Sequence, residues 1–342
     1  MDPVSQAALG ASFSQSISKN TNLKVATFLG CFAGMAPDLD VLISSRVDPL
    51  LFLEFHRQFT HSLFFIPIGS LIVALFFFPV FKSHCSFKYG YLYCFLGYAS
   101  HGLLDACTTY GTQLFWPVSS ARYAWNNISI IDPLFTLPII LFIALSVRKK
   151  SLLLSKVGLA WAISYLLVGL LQNNRAVSAG HELATSRGHK IDRLEAKPGF
   201  ANLLIWKTIY ESQGQFYVDA VRVGLTDKVI PGKSIQKLDP LTQLSWLDPK
   251  SQQALDVERF KWFSNDYLAV DQSNPYRIID IRYSAVPNEI KPLWAIDLDP
   301  AKKITEHVNW ISLRQIGPAQ IENWWAMIKG RENPTTQLQI EN

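Results

Sequence analysis

Ser62–Phe81 reads SLFFIPIGSLIVALFFFPVF, twenty residues without a charge. As a helix, a run of that length and composition crosses the roughly 30 Å hydrocarbon core of a bilayer. Three other stretches have the same character. Ile131–Val147 is entered at Asp132-Pro133. Leu152–Leu171 is interrupted only by Lys156 near its start, where a long side chain reaches the headgroups. Tyr89–Leu104 opens with aromatic residues. Leu23–Ala36 is shorter and rich in small residues, and reads as a helix that spans together with earlier residues, re-enters, or lies at the interface. Residues 1–171 are therefore predicted to form an α-helical multi-pass membrane bundle of about four to five transmembrane helices.

Working outward, the whole chain has 342 residues, 49% hydrophobic and 17% charged, with a mean hydropathy of +0.13. These values exclude a disordered, collagen-like or coiled-coil chain. The charge is uneven: residues 1–171 hold 11 Lys and Arg and 7 Asp and Glu of the 32 and 27 in the chain. The first half is membrane-like and the second is a soluble composition. A net charge of +5 without a Lys/Arg run argues against a nucleic-acid partner and leaves membrane lipids as the expected one. The four cysteines all fall in the apolar half without a CxxC pair. The first 18 residues lack a basic start and an apolar stretch, so insertion is expected to use internal segments.

Beyond Gln172 the pattern changes. Residues 172–200 read as a polar linker and 201–342 as a soluble α+β domain with antiparallel strands. Asn202–Tyr210 and Phe216–Val223 read as a hairpin, as do Asp266–Asp271 and Tyr276–Ser284. Leu293–Leu298 and His307–Leu313 read as strands, Ser251–Phe263 and Ala319–Ile328 as helices. The histidines of this half, His181, His189 and His307, are not spaced as a ligand set.

Lys19, Lys24, Lys82, Lys88, Arg148, Lys149, Lys150 and Lys156 would share one membrane side, against Arg46, Arg57 and Arg122 on the other. The positive-inside rule then places the loops 38–61 and 105–130, and everything after residue 171, outside the cytoplasm.

Six carboxylates of this half, Asp38, Asp40, Asp48, Glu54, Asp105 and Asp132, fall on that outer side, with His56, His61 and His101. In an extended segment Asp38 and Asp40 would point the same way and share a cation. The bland reading is a Pro-Asp turn with Asp40 as a helix cap. His56 and His61 sit about one helical turn apart before the second apolar run, where interfacial histidines are also common. His101 and Asp105 share a helix face at i,i+4, as a ligand pair or a packing pair. The six residues together offer three imidazoles and three carboxylates, enough for one or two divalent ions, zinc or manganese being the best suited. Arg57 and Arg122 are candidate substrate-binding residues, with headgroup anchoring or ion pairing as the alternative. Thr60, Ser62, Thr108 and Thr109 read as oxyanion donors or helix caps, Trp116, Tyr123 and Trp125 as an aromatic belt, and Asp48 as a solvated loop carboxylate.

The runs MDPVSQAALGA, APDLDVL, HRQFTHS, SHGLLDACTTYGTQLFWP and IIDPLFTLP occur in this order over roughly residues 1–150. In combination they closely resemble the YdjM-type family of membrane-bound, metal-dependent hydrolases, described as LexA-binding and inner-membrane-associated. The resemblance implies a multi-pass inner-membrane protein with Asp38, Asp40, His56, His61, His101 and Asp105 at the metal-site positions. It also implies a carboxyl-terminal extension of the kind found in a subset of members. Ser5-Gln6 stands where many members carry a Thr-His pair, so a histidine ligand from that place is absent.

The resulting expectation is an integral-membrane metal-dependent hydrolase acting at the membrane–water boundary on an amphiphilic or lipid-linked (phospho)ester. Asp40 and Asp105 are the candidates for general base. The alternative is a non-catalytic membrane protein with a structural metal site and an extracytoplasmic binding domain. The oligomeric state is not encoded in any legible feature.

Overall fold

Asp2-Pro3 starts the first helix: the Asp2 carboxylate accepts from the Val4 and Ser5 amides, and Pro3 takes the first turn, where no amide is needed. In this computed structural model, which describes residues 1–314 and 317–330, the chain divides into two compact units. One comprises Met1–Ile43, Glu54–Leu171 and Phe200–Asn202; the other comprises Ser44–Leu53, Gln172–Gly199 and Leu203–Asn342.

The first unit is helical. Its helices are α1 (Pro3–Ser16), α2 (Leu23–Met35), α3 (Leu51–Phe55, which begins in the other unit), α4 (Ile66–Phe81), α5 (Phe87–Cys107), α6 (Pro133–Lys149) and the first part of α7 (Leu152–Ser186). Helix α1, absent from the sequence reading, packs on α2 and α5. Small residues let the three approach closely: a Cβ added at Gly34 would lie 2.6 Å from the Gln6 carbonyl oxygen. Helix α4 is apolar outward and, apart from Phe81 at its end, small inward, exposing Ile68, Ile72, Leu75 and Phe76 while burying Gly69, Ser70 and Ala74. That inversion suits a helix facing lipid.

The expectation of four to five membrane crossings is not supported. Among the described residues two helical stretches, Asn20–Leu42 and Leu152–Ser186, are long and apolar enough to cross. A third is added if Leu51–His61 and Ile66–Phe81, bent by 83°, form one broken span. The apolar run at Ser62 does not begin as helix, because a tight turn at Phe59–His61 delays α4 until Ile66. Helix α6 has 17 residues. Helix α5 has 21 but includes Ser100, His101 and Asp105, all buried.

The second unit holds two four-stranded antiparallel sheets. The first runs β1 (Arg193–Pro198), β2 (Ile205–Ser212), β3 (Gln215–Arg222) and β4 (Lys228–Gln236) in chain order. Helices α8 (Pro240–Gln243) and α9 (Gln252–Phe263) follow. The second sheet runs β5 (Leu268–Asp271), β6 (Asn274–Asp280), β7 (Trp294–Asp297) and β8 (Asn309–Ser312), before α10 (Pro318–Ile328). Both expected hairpins form. The β2–β3 turn places Gln213 and Gly214 at φ 52° and 72°, the paired left-handed geometry of a tight hairpin. The two sheets share a core of Ile209, Phe216, Val218, Tyr267, Ile279 and Ala295.

Residues 172–200, expected as a linker, are helix as far as Ser186 and then strand β1. Their polar composition is that of a helix and an edge strand with one wet face, not of an unstructured connection. Asp48 is not a solvated loop carboxylate. It accepts both Nη atoms of Arg259 at 3.0 and 2.8 Å within the second unit. The last part of the expected soluble domain, residues 331–342, lies outside the described residues.

Candidate metal centre

Ala36–Leu42 is a 3-10 turn, not the extended segment expected for Asp38-Leu-Asp40. Residues two apart on such a turn point about 240° apart, so the two carboxylates take different roles. Asp38 Oδ1 lies 3.5 Å from His61 Nε2 and 3.4 Å from His101 Nε2. Asp40 turns toward the chain after α3. It accepts from His56 Nδ1 at 2.8 Å, the Arg57 amide at 2.9 Å and the Thr60 hydroxyl at 2.9 Å, with His61 Nδ1 at 3.3 Å.

His101 and Asp105 sit on one face of α5, as the i,i+4 spacing implies, with Nε2 and Oδ2 3.6 Å apart. Asp105 Oδ2 is also 3.2 Å from His61 Nε2. The two Nε2 atoms are 2.8 Å apart. Asp38, His61, His101 and Asp105 thus form one group able to hold a metal ion; Asp38, Asp40 and His56 form a second that shares Asp38. Both lie in the helical unit, and no such group occurs in the other unit among the described residues.

The protons on the imidazoles follow from their partners. His101 Nδ1 faces the Gly34 carbonyl at 2.5 Å, and a carbonyl only accepts, so Nδ1 carries hydrogen. The Thr60 hydroxyl donates its one hydrogen to Asp40, so its oxygen accepts from His61 Nδ1 at 2.9 Å. Each ring is held through Nδ1 and turns its Nε2, bare when the ring is neutral, toward the two carboxylates, the arrangement that orients histidine ligands. His61 and His101 are 2% and 0% exposed and Asp105 is 0% exposed. With neutral rings, two nitrogen lone pairs and two carboxylate oxygens, of which only that of Asp38 is partly exposed, converge here, and a cation placed among them would relieve their repulsion.

The spacing suits an ion. Ligand atoms at 2.0–2.1 Å on a tetrahedron are about 3.3–3.4 Å from one another, and the contacts here run from 2.8 to 3.6 Å. Two imidazoles with two carboxylates is a mixed set that accepts zinc, manganese or iron, and the identity of the ion does not follow from it.

Arg57 is committed to this cluster. Its side chain is buried, with Nε 3.0 Å from Asp105 Oδ2 and Nη1 3.0 Å from Thr108 Oγ1. Its backbone is left-handed at φ 65°, a conformation that costs a non-glycine residue energy, and the Asp40 bond to its amide holds it there. Arg122 donates to the Gly111 carbonyl at 2.9 Å and, like Arg57, lies over the Tyr110 ring. Ser62 donates to the Trp116 carbonyl at 2.5 Å.

Gln6 was not singled out by composition or spacing. It is fully buried on α1 and donates from Nε2 to Asp105 Oδ1 at 2.8 Å, where the Met1 amino group also makes contact. The signal for it was the substitution in the Ser5-Gln6 pair: a side chain from this place reaches the cluster, but as a donor to a carboxylate.

A family model described as YdjM inner membrane protein matches residues 1–176. No curated protein and no solved structure matches the chain. The matched stretch contains all six candidate ligands and covers half of the sequence, and on that ground the chain belongs to the YdjM inner membrane protein family.

Proposed function

We propose that this protein is an integral-membrane metal-dependent hydrolase whose ion is held by Asp38, His61, His101 and Asp105. The observation that supports this reading is the surplus of acceptors: two Nε2 atoms and two carboxylates converge with both rings already hydrogen-bonded through Nδ1. Protons cannot supply the missing charge equally well. With the two Nε2 atoms 2.8 Å apart, only one of them can carry hydrogen. A divalent ion at such a site supplies Lewis acidity and an activated water.

The surrounding residues then divide the work. Arg57 and Gln6 hold Asp105 in place and leave it no freedom to move a proton. Asp40 accepts from several donors and acts as the orienter of His56 and His61, not as a base. His56 is the proton carrier in this reading. Asp40 fixes its Nδ1, its side chain is 19% exposed, and its Nε2 has no hydrogen bond among the described residues. A site in an inner-membrane protein, flanked by outward-facing apolar helices, favours an amphiphilic substrate such as a lipid-linked phosphoester. The eight-to-three Lys/Arg asymmetry supports an extracytoplasmic site. With three crossings the loop 38–61 and the chain after α7 keep that side, whereas with two crossings Lys82–Lys150 fall opposite Lys19 and Lys24 and the chain after α7 returns to the first side.

One observation favours a second reading. The group offers four protein donors, the donor count of structural zinc sites. The test is metal analysis of detergent-purified protein and of His101→Ala, followed by hydrolysis assays on ester and phosphoester panels. Metal that disappears in His101→Ala together with metal-dependent hydrolysis supports the enzyme. Stoichiometric metal without turnover on any substrate supports the structural site. Absence of metal from the wild type sinks both.

A further inference from the structure

Ser44–Leu53 joins the two sides of the ligand cluster, with Asp38 and Asp40 before it and His56 and His61 after it. The segment packs as part of the second unit, although the chain on either side of it belongs to the helical unit. Asp48, midway between Asp40 and His56, forms a bidentate pair with Arg259. Arg259 is in turn fixed by Asp256 at 2.9 Å. The fully buried Asp256 carboxylate also takes the Val308 amide at 3.0 Å and His307 Nδ1 at 2.9 Å. Phe52 meets Trp310 edge to face at 5.1 Å, and Leu50 and Leu53 are buried. Within the segment, Ser45 Oγ accepts from the Val47 and Asp48 amides, each at 3.1 Å.

A segment that only connects two helices runs loosely over the surface. This one is anchored by a planar, two-bond charge pair and an aromatic contact, both on preorganised partners. Ordering the two ligand-bearing turns costs conformational entropy, and an anchored segment removes part of that cost before the ion arrives.

We propose that Asp48 and Arg259 are positioning residues: by gripping Ser44–Leu53, the carboxyl-terminal unit holds the Asp38–Asp40 turn and the His56–His61 turn in register for the ion. This rests on the metal reading above and assigns the carboxyl-terminal half a role in it.

The test uses the full chain in detergent. Zn²⁺ affinity is measured by competition with a chromogenic chelator, and ligand geometry by the visible spectrum of the Co²⁺ form. Asp48→Asn and Arg259→Gln should each weaken Zn²⁺ about three- to tenfold, less than loss of a direct orienting partner. Both should change the Co²⁺ spectrum. The double variant should be no weaker than the weaker single one, and Asp48→Glu should recover most of the affinity. Phe52→Leu loosens the second anchor without touching a charge and should act in the same direction, which covers the case of a charge variant that does not fold. Wild-type affinity and an unchanged spectrum in folded Asp48→Asn and Phe52→Leu would show the segment to be a mere tether and overturn the proposal, with the metal site intact. A wild-type protein that binds neither ion overturns the metal reading and this proposal with it.

Discussion

The two units bury ionisable groups in opposite ways. In the β-rich unit the buried Arg282, Asp219 and Lys197 each meet an opposite charge. Arg282 grips Asp280 at 2.7 Å, Arg187 pairs with Asp219 at 2.7 Å, and Lys197 pairs with Glu195 at 2.7 Å. Lys207, with no opposite charge in contact among the described residues, donates to Ser284 Oγ and the Glu289 carbonyl, both at 2.8 Å. In the helical unit Asp38, Asp40 and Asp105 crowd around three imidazoles, with the Arg57 guanidinium and the Met1 amino group against them. A paired buried charge stabilises or specifies a fold, whereas an unbalanced set of acceptors is a site waiting for a ligand. The difference teaches where to look for function: in the unit whose polar interior is incomplete.

The comparison breaks most visibly where a complement is removed. Arg282→Met leaves Asp280 buried and uncompensated, and should destabilise the carboxyl-terminal unit by about 3–5 kcal/mol in denaturant titrations. An effect under about 1 kcal/mol would mean that the β-rich interior is wetter than its packing implies. Next in size, His61→Ala and His101→Ala should each reduce metal affinity at least 10- to 100-fold, about the loss expected even for removal of an orienting partner. The double variant should lose much less than the sum. Full metal occupancy in both single variants would make the helical cluster a packing feature.

The third test is the sharpest contrast between the units. Asp38→Asn removes repulsion among acceptors, so metal-free protein should gain about 1 kcal/mol of stability while losing metal affinity. Destabilisation of the metal-free form would show the cluster to be charge-balanced already. The smallest effect concerns pH. Burial lowers the Lys207 ammonium to about 7, with Asp280 and Glu289 opposing the shift. The unfolded chain then binds more protons than the folded one above that value, so stability should rise as pH climbs from roughly 7 toward 10. Lys207→Met should flatten that rise in a thermal melt of the full chain. An equal slope in both proteins would assign the proton to another group.

Much of the β-rich unit was legible because its signals are local. Gln213-Gly214 between two β-branched and aromatic runs specifies a hairpin, and Ser251 before an apolar-periodic run caps α9 through the Ala254 amide. Strands β1 and β4 escaped because charged residues, Pro198, Pro231 and Gly232 interrupt their apolar positions, and they acquire strand geometry by pairing with β2 and β3. Helix α1 escaped because its small and polar residues offer no apolar stretch, while Gly10 and Gly34 in fact bring it against α2.

From its residues alone this chain determined that an apolar, charge-poor half precedes a soluble one, and that three carboxylates and three histidines lie on a few short motifs. Composition and spacing suffice for that, because hydropathy is additive along a chain and i,i+4 neighbours share a helix face. Which of those six groups face one another was decided only by tertiary structure. The 3-10 turn at Ala36–Leu42 sends Asp38 to His61 and His101 and sends Asp40 to the back of His56 and His61. Two atoms of opposite role can sit two residues apart, and no periodicity distinguishes them until the backbone has chosen its turn. The grip of Arg259 on Asp48 is of the same kind: a pair 211 residues apart, set by packing and invisible to any local pattern.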